Sequence, residues 1–309
     1  MTHGMVLGKF MPPHAGHIYL CEFARQWVDD LTIVVGTRAD EPIPGKQRVK
    51  WMRELFPFNL VIHLPNDNPQ RPWDHPDFWP IWKATLEDAL PRLPDFYFGA
   101  EPYNAQFAEL LGARFVPVDQ GRVVVPISAT EIRADPLAHW QHIPRCVRPA
   151  FVKRISIIGP EGTGKTTLAR ALAEKLGTSW VPERANILRE LDAPAGLDWT
   201  EIARGQIASE QALARDADRF LVCDTDPIAT AVWAELLAGG CPPELRELAG
   251  RSYDLTLLTT SGASGDAFSV RCEQALRAAG RPYVVLSGGW EERVSTAVRA
   301  VEELAPARG

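Results

Sequence analysis

The chain has 309 residues, of which 46% are apolar and 23% charged, with 33 Lys and Arg set against 39 Asp and Glu. That is the make-up of a globular protein long enough for two domains, each burying its own core, and a net charge of −6 excludes a basic face for sequence-independent polyanion binding. Five scattered cysteines with no CxxC spacing argue against a disulfide framework or a zinc site and for a reducing cytoplasm; no stretch approaches the roughly 18 apolar residues of a membrane span or the core of a signal peptide.

In chain order, Met5 to Gly8 reads as a short strand, Gly16 to Asp29 as a helix, and Leu31 to Val35 as a β-branched buried strand ending at Gly36. Strand, helix and strand in that order make a parallel crossover. Residues 47–56 follow as a helix, Leu60 to Leu64 as a strand, Trp79 to Ala89 as a helix, then strands at Phe96 to Phe98 and Phe115 to Val118. Leu137 to Val152, interrupted by Pro144 and Pro149, reads as a helical arm and linker. The pattern then restarts: strands at Arg154 to Ile158, Phe220 to Cys223, Thr256 to Leu258 and Tyr283 to Leu286, with helices at Lys165 to Leu176 and Glu292 to Leu304. Alternating strands and helices in two runs give an α/β chain with two parallel sheets, divided at 1–148 and 149–309.

Each run opens on a phosphate-handling turn. Gly8-Lys9-Phe10-Met11-Pro12-Pro13-His14-Ala15-Gly16-His17 sets two imidazoles at a helix start, where free backbone N–H groups and the helix dipole already favour phosphate. Gly16 lets the backbone come close, and His14 and His17 can donate hydrogen bonds to an α-phosphate as charge builds on it. Either histidine alone would read as a surface residue at a helix cap; the spacing of the whole run favours chemistry. Ile127 to Arg133 adds Ser128, Thr130 and Arg133 at a second helix start, offering hydroxyls, N–H groups and a guanidinium to a polyphosphate, or, on its own, an ordinary capping box.

The second turn, Gly159-Pro160-Glu161-Gly162-Thr163-Gly164-Lys165-Thr166, lies between a strand and an Ala/Leu helix, the context that confirms a P-loop. Gly159, Gly162 and Gly164, with Thr163 between them and Thr167 beyond, turn N–H groups around a β-phosphate of ATP. Lys165 bridges β- and γ-oxygens, and Thr166 offers its hydroxyl to Mg2+. Asp224, at the end of a strong apolar strand, stands where a metal-binding acid or a base for a hydroxyl proton belongs; Asp226 suits an N-cap before Pro227.

Here the residues resemble the nucleotidyltransferase superfamily, with HxGH near its start and ISxTxxR near its end. More closely, Gly45-Lys46-Gln47-Arg48 with Trp51, Phe78 to Trp82, and Ala100 to Tyr103 look like the adenylyltransferase half of the NadR family, in which a P-loop kinase half follows directly. The resemblance spans nearly the whole chain. It implies an N-terminal Rossmann-like nucleotidyltransferase sheet that joins ATP and nicotinamide mononucleotide (NMN) into NAD and pyrophosphate with Mg2+. It also implies a C-terminal nicotinamide riboside kinase that makes NMN. Carried to matching positions, it gives Gly8, Lys9, Phe10, His14 and His17 to the ATP, Lys9 and Arg133 to its charge, and Arg48, Trp79 or Trp82 to the mononucleotide. Pro182-Glu183-Arg184 and Asp224-Thr225-Asp226 with Trp233 match the kinase half, where Glu183 would bind the nucleoside, act as base, or remain a solvated strand-end acid. A homo-oligomer is a further family expectation.

Three departures stand out. Ala129 and Ala100 replace the family's usual Gly and Ser, without loss of charge. After Leu258, relatives continue into a lid bearing Trp, Asp and Arg, whereas Thr259 to Ser269 is short, small and polar, with Arg271 the nearest cation. The expected protein is therefore a bifunctional NAD-salvage enzyme. The alternative is an active adenylyltransferase whose P-loop half only senses nucleotide or takes a different substrate. A DNA-binding regulator, as in relatives with an N-terminal helix-turn-helix, is disfavoured, because the first strand begins near Met5 and no basic face is evident.

Overall fold

The computed structural model describes residues 1–190, 198–260 and 266–305, and divides into two compact units, Met1–Val147 and Arg148–Gly309. The Ser261 to Gly265 part of the anticipated polar loop lies outside the described residues.

The first unit runs β1 (His3–Gly8), α1 (Ala15–Trp27), β2 (Asp30–Thr37), α2 (Gly45–Leu55), β3 (Leu60–Pro65), α3 (Phe78–Ala89), β4 (Phe96–Gly99), α4 (Asn104–Leu110), β5 (Arg114–Pro117) and α5 (Ala129–Ala134). Its five strands are parallel in the order β3-β2-β1-β4-β5. Alternate strand residues feed two cores, as a sheet covered on both faces requires. Val6, Ile33 and Phe98 pack on Cys21 and Ala24 of α1 and Met52 of α2, while Met5, Val34 and Tyr97 pack on Phe78, Trp82 and Leu86 of α3 and Phe107 of α4. The order reverses between β1 and β4, and ligands of such sheets bind in the crevice at that reversal, beyond the strands' carboxyl ends. Gly8 and Gly99 end the two strands there.

The anticipated arm is a correction. Instead of an α-helix, single 3-10 turns form at Trp140–His142 and Arg148–Ala150. Pro144 and Pro149 remove backbone donors and crowd the preceding turn, so no longer helix propagates.

The second unit runs β6 (Lys153–Ile158), α6 (Lys165–Leu176), β7 (Trp180–Val181), α7 (Arg184–Glu190), α8 (Trp199–Leu213), β8 (Phe220–Asp224), α9 (Pro227–Ala238), α10 (Pro243–Ala249), β9 (Leu255–Thr259), α11 (Ala267–Ala278), β10 (Tyr283–Leu286) and α12 (Trp290–Glu302). Its sheet is again fully parallel, ordered β10-β9-β6-β8-β7, so β6 is central and delivers the P-loop from mid-sheet. Ile155, Ile157 and Val222 face α6 and α12, and Ile158 and Leu258 face α9 and α11.

Candidate nucleotide sites

Beyond β1, Phe10 takes a left-handed backbone (φ 47°) and folds its buried ring back over Gly8, where a Cβ would come within 3.0 Å of that ring. The ring also meets His17 edge-on at 5.0 Å. His14 is the N-cap of α1: its Nδ1 accepts the Gly16 N–H at 3.1 Å. That bond needs a lone pair on Nδ1, so the neutral ring carries its proton on Nε2 and keeps one donor to offer. The two imidazoles lie 3.8 Å apart. Burial, then the Arg122 and His142 charges, push His14 down to about 4. Burial, then His14 and Arg122, hold His17 well below the ordinary imidazole range against the opposing pull of the Pro12 carbonyl. Both rings are therefore neutral near pH 7, and an arriving polyphosphate would raise them.

These histidines line a cavity of about 280 Å³ together with Phe10, Gly16, Arg122, Ser128 and Thr130. Ser128 caps α5 in a full capping box, accepting Glu131 N–H at 3.2 Å while its own N–H donates to Glu131 Oε2 at 2.8 Å. Its hydroxyl is thus already engaged. Arg133 is drawn to the Met11 carbonyl and, at 3.2 Å, to the Thr130 hydroxyl, so its guanidinium braces the site's backbone. The guanidinium on the cavity wall is instead that of Arg122, which sequence reasoning passed over as part of a polar turn. The Asp119 carboxylate folds this turn by accepting N–H groups of Val123, Val124 and Val125 at 2.7, 3.0 and 3.0 Å.

A second cavity, about 680 Å³, adjoins the first, and both are lined by Leu7, Gly8, Lys9, Tyr103 and Asn104. Lys9 thus stands where the two spaces meet, its ammonium 3.0 Å from Glu41 Oε1. Of the two anticipated tryptophans, Trp82 lines the larger cavity and donates its indole N–H to Pro69 O at 2.9 Å. Trp82 is also a buried member of the core beneath α3, whereas Trp79 is half-buried at the edge of that core, packing against Phe78 and Phe107 at 4.8 and 5.3 Å, and does not line the cavity. Trp73, which the sequence did not single out, also lines this cavity and is 76% exposed. Arg48 requires correction as a substrate contact: it is fully buried and binds the Lys9 and Gly36 carbonyls and the Glu41 carboxylate, behind the cavity wall.

In the second unit the P-loop leaves β6 through Gly159, pressed against Thr259, then Gly162 (φ 74°) and Gly164 (φ 82°), left-handed conformations that only glycine adopts without cost. Thr163 donates to Pro160 O at 2.8 Å and pairs with the Thr259 hydroxyl at 2.7 Å, which locks the loop to β9. Lys165 reaches back to Pro160 O at 3.0 Å. Gly162, Gly164, Lys165, Thr166, Thr167, Glu183 and Trp233 line a cavity of about 260 Å³. Thr166 donates to Asp224 Oδ2 at 2.6 Å, and the other oxygen, Oδ1, is buried with no hydrogen-bond partner. Burial raises the Asp224 carboxyl above the usual range; Thr166, Lys165 and Arg170 pull it back down. A hydroxyl and a carboxylate with a spare buried oxygen form a donor set that suits a hard divalent cation.

Asp226 serves differently. It caps α9, accepting Ala229 N–H at 3.0 Å, and pairs with buried Arg281 at 3.0 Å. Next to the phosphate cavity, a smaller one of about 180 Å³ shares Glu161, Glu183 and Trp233 and adds Trp199, Thr225 and Thr230. Trp199 had no sequence signal beyond its type. Glu183 accepts a hydrogen bond from Asn186 at 2.8 Å. Arg271 pairs with Glu235 at 3.5 Å on the surface. Another cation, Arg293 of α12, grips the loop by donating to Thr163 O at 2.9 Å.

An HxGH turn at a sheet reversal and a P-loop on a central strand define a two-unit α/β nucleotide-binding protein. A family model described as an AAA domain matches residues 154–293. The chain is 31% identical over 284 residues to the trifunctional NAD biosynthesis/regulator protein NadR of Escherichia coli (strain K12), covering 83% of this chain and 68% of that one. The Salmonella typhimurium protein of the same name is 30% identical over 281 residues, covering 82% and 68%. A crystal structure of NadR protein in complex with NR superposes with a TM-score of 0.83 at 24% identity, over 99% of this chain and 97% of the other. A complex with NAD and AMP-PNP gives 0.79 at 24% identity, over 98% and 95%. The chain belongs to the NadR family.

Proposed function

We propose that this protein makes NAD in two ATP-dependent steps: the unit at 1–148 transfers AMP from ATP to NMN, and the unit at 149–309 phosphorylates nicotinamide riboside to NMN. The observation that carries the first step is the pair of cavities meeting at Lys9 on the sheet reversal. ATP fills the histidine-lined space and the mononucleotide the larger one, with its base near Trp82 and Trp73. A phosphate oxygen of NMN then attacks the α-phosphorus; the bond to the β-phosphate breaks, and pyrophosphate leaves. No proton need move, so the protein's task is to orient the phosphates and stabilise charge. His14 Nε2–H, His17, Lys9 and Arg122 supply donors and charge for that.

The second step rests on the intact P-loop and the paired Thr166 and Asp224. These two residues would hold Mg2+, which when bound with ATP offsets phosphate charge. Lys165 and the loop N–H groups hold the phosphates, and Glu183, on the wall common to both cavities, is placed to accept the proton of the attacking riboside hydroxyl. Trp199 and Trp233 with Glu161 and Glu183 suit a cationic aromatic base, which a pyridinium riboside has. The chain's likeness to a NAD biosynthesis/regulator protein and to a NadR protein in complex with NR supports this reading.

One observation favours the alternative that the P-loop unit binds nucleotide without turnover: Arg271, the cation nearest the altered lid, is tied to Glu235 on the surface. One experiment separates the readings. Wild-type protein with Mg-ATP and NMN should yield NAD and pyrophosphate, and His17→Ala should abolish this; no NAD from NMN refutes the first step. With nicotinamide riboside and Mg-ATP, product that vanishes in Lys165→Ala establishes the kinase, and no product refutes riboside phosphorylation in favour of a nucleotide sensor or a kinase of a different substrate.

A further inference from the structure

Arg48 is the largest fully buried side chain among the described residues, and its hydrogen-bond and ion partners Lys9, Gly36 and Glu41 lie on the rim of the larger cavity. Its guanidinium donates to Lys9 O at 2.7 Å and Gly36 O at 3.3 Å, joining the carboxyl ends of β1 and β2, and it pairs with Glu41 Oε2. Its Nε–H has no hydrogen-bond partner. A buried guanidinium with an unmet donor costs stability, and an apolar side chain of similar volume would pack there without that cost. The bonds from Arg48 to the two carbonyls tie the strand ends together, and its charge in addition stands beside the Glu41 carboxylate at the cavity rim.

Glu41 supplies the link. Its side chain is 7% exposed, and its two oxygens are divided: Oε2 takes Arg48 and the Arg38 N–H at 3.0 Å, and Oε1 takes the Lys9 ammonium at 3.0 Å. Burial alone would raise this carboxyl, but the Arg38 N–H, Lys9 and Arg48 together hold it below the ordinary range, so it stays ionised. Lys9, Glu41 and Arg48 carry +1, −1 and +1, a net +1 that faces the cavity through the half-exposed Lys9. Without Arg48, the Lys9 and Glu41 pair would be neutral, and the carboxylate would lose its buried ion partner, leaving Lys9 and the more distant Arg38, itself paired with Asp40.

We propose that Arg48 and Glu41 are positioning residues: Glu41 moors the Lys9 ammonium where the two cavities meet, and Arg48 offsets Glu41 so that Lys9 keeps its charge for phosphate. This rests on the adenylyl-transfer reading of the first unit. The two positioning residues leave opposite kinetic signatures. Glu41→Gln frees Lys9 without removing its charge, so kcat falls while the KM for NMN does not rise. Arg48→Met leaves the carboxylate facing the phosphate, so the KM for NMN rises. Mere destabilisation would also lower apparent kcat at unchanged KM, but equally whether or not Lys9 is present and with a lowered unfolding midpoint.

The test is a double-mutant cycle of Glu41→Gln with Lys9→Met, read as kcat and KM for NAD formation, with thermal unfolding to confirm folding. Glu41→Gln is near isosteric and keeps the experiment sound if Arg48→Met fails to fold. The expected result is a loss of about tenfold or more in kcat that shrinks to within about twofold when Lys9 is already Met. Equal losses in both backgrounds, or no loss in Glu41→Gln, overturn the relay. Wild-type protein that makes no NAD refutes the proposed reaction instead; a cycle of Arg48→Met with Lys9→Met is then read on NMN affinity by calorimetry, where coupling below about twofold overturns the positioning role.

Discussion

Replacing Gly16 by Ala puts the geometry of the first site to a direct test, because two effects of opposite sign meet at that atom. Gly16 lies in the first turn of α1, where Ala would favour the helix by up to about 1 kcal/mol. Its new Cβ would stand 3.0 Å from His14 Cε1 and 3.2 Å from Nδ1, closer than packed carbons normally come. The imidazole is the part that can yield; in swinging away it loses the Gly16 N–H bond, a capping interaction worth about 1 kcal/mol. The stability terms nearly cancel, so the thermal midpoint should move by only a few degrees. Activity has no such offset. A displacement of about 1 Å in a group aimed at the reacting phosphate costs about 10²-fold. Coupled measurement of NAD formation from NMN and Mg-ATP, beside thermal unfolding, reads both quantities. A Gly16→Ala protein retaining activity within about threefold of wild type would refute the assignment of His14 as a positioned donor.

Other consequences can be measured in parallel. His14 titrates at about 4 in the folded chain against about 6.5 unfolded, so as pH falls the unfolded state takes up the proton first and stability drops. That loss should reach about 3 kcal/mol between about pH 7 and pH 4; denaturant titrations of His14→Gln should show a flatter profile, and an unchanged slope counts against the buried neutral ring. Asp224→Asn removes a carboxylate whose charge burial opposes, so it should raise the unfolding midpoint while lowering riboside phosphorylation by about 10²-fold or more. A destabilised variant would contradict the environment deduced for Asp224. Arg281→Met leaves Asp226 buried without its ion partner and should cost about 3–5 kcal/mol in denaturant unfolding of the second unit; a loss under about 1 kcal/mol would mean the pair is not needed.

The strands were legible because buried parallel strands are written as short β-branched runs, as in Ile33-Val34-Val35 and Ile155-Ser156-Ile157-Ile158. Both phosphate turns were legible for a related reason: their glycines, histidines and lysine sit within one local segment. What lay beyond reach depends on contacts distant in sequence. Arg48 is expected from the family resemblance to contact the mononucleotide, and only the meeting of the β1 and β2 ends around it makes it a buried anchor instead. Arg122 sat in a polar turn whose left-handed backbone (φ 49°) and Asp119 scaffold bring it to the histidines. Trp79 and Trp82 differ by less than one helical turn, yet only Trp82, buried in the core, also reaches the cavity, while Trp79 stays half-buried at the core's edge, a difference that periodicity alone leaves open. The prolines of the arm are visible in the sequence, and they limit it to single 3-10 turns.

Asp224 and Asp226 show how one local motif can be divided between chemistry and structure. The strand ends at Asp224, and Thr225 takes φ 80°, a strained value for a β-branched residue, while its N–H donates to Ile157 O at 2.9 Å. That kink separates two otherwise identical side chains. Asp226 receives a helix N-terminus and a buried guanidinium, and both of its oxygens are spoken for. Asp224 receives one hydroxyl, keeps one oxygen without a partner, and sits beside the P-loop lysine. A fully paired buried carboxylate is stabilised in place and has nothing left to offer a ligand; a half-paired one is held at a cost that a cation or a proton can relieve. The strain at Thr225 therefore has a function on both sides. It lets α9 start on a satisfied cap held by Arg281, and leaves Asp224 turned to the Thr166 hydroxyl at the P-loop, so one strained residue divides the two acids between a structural pair and the loop.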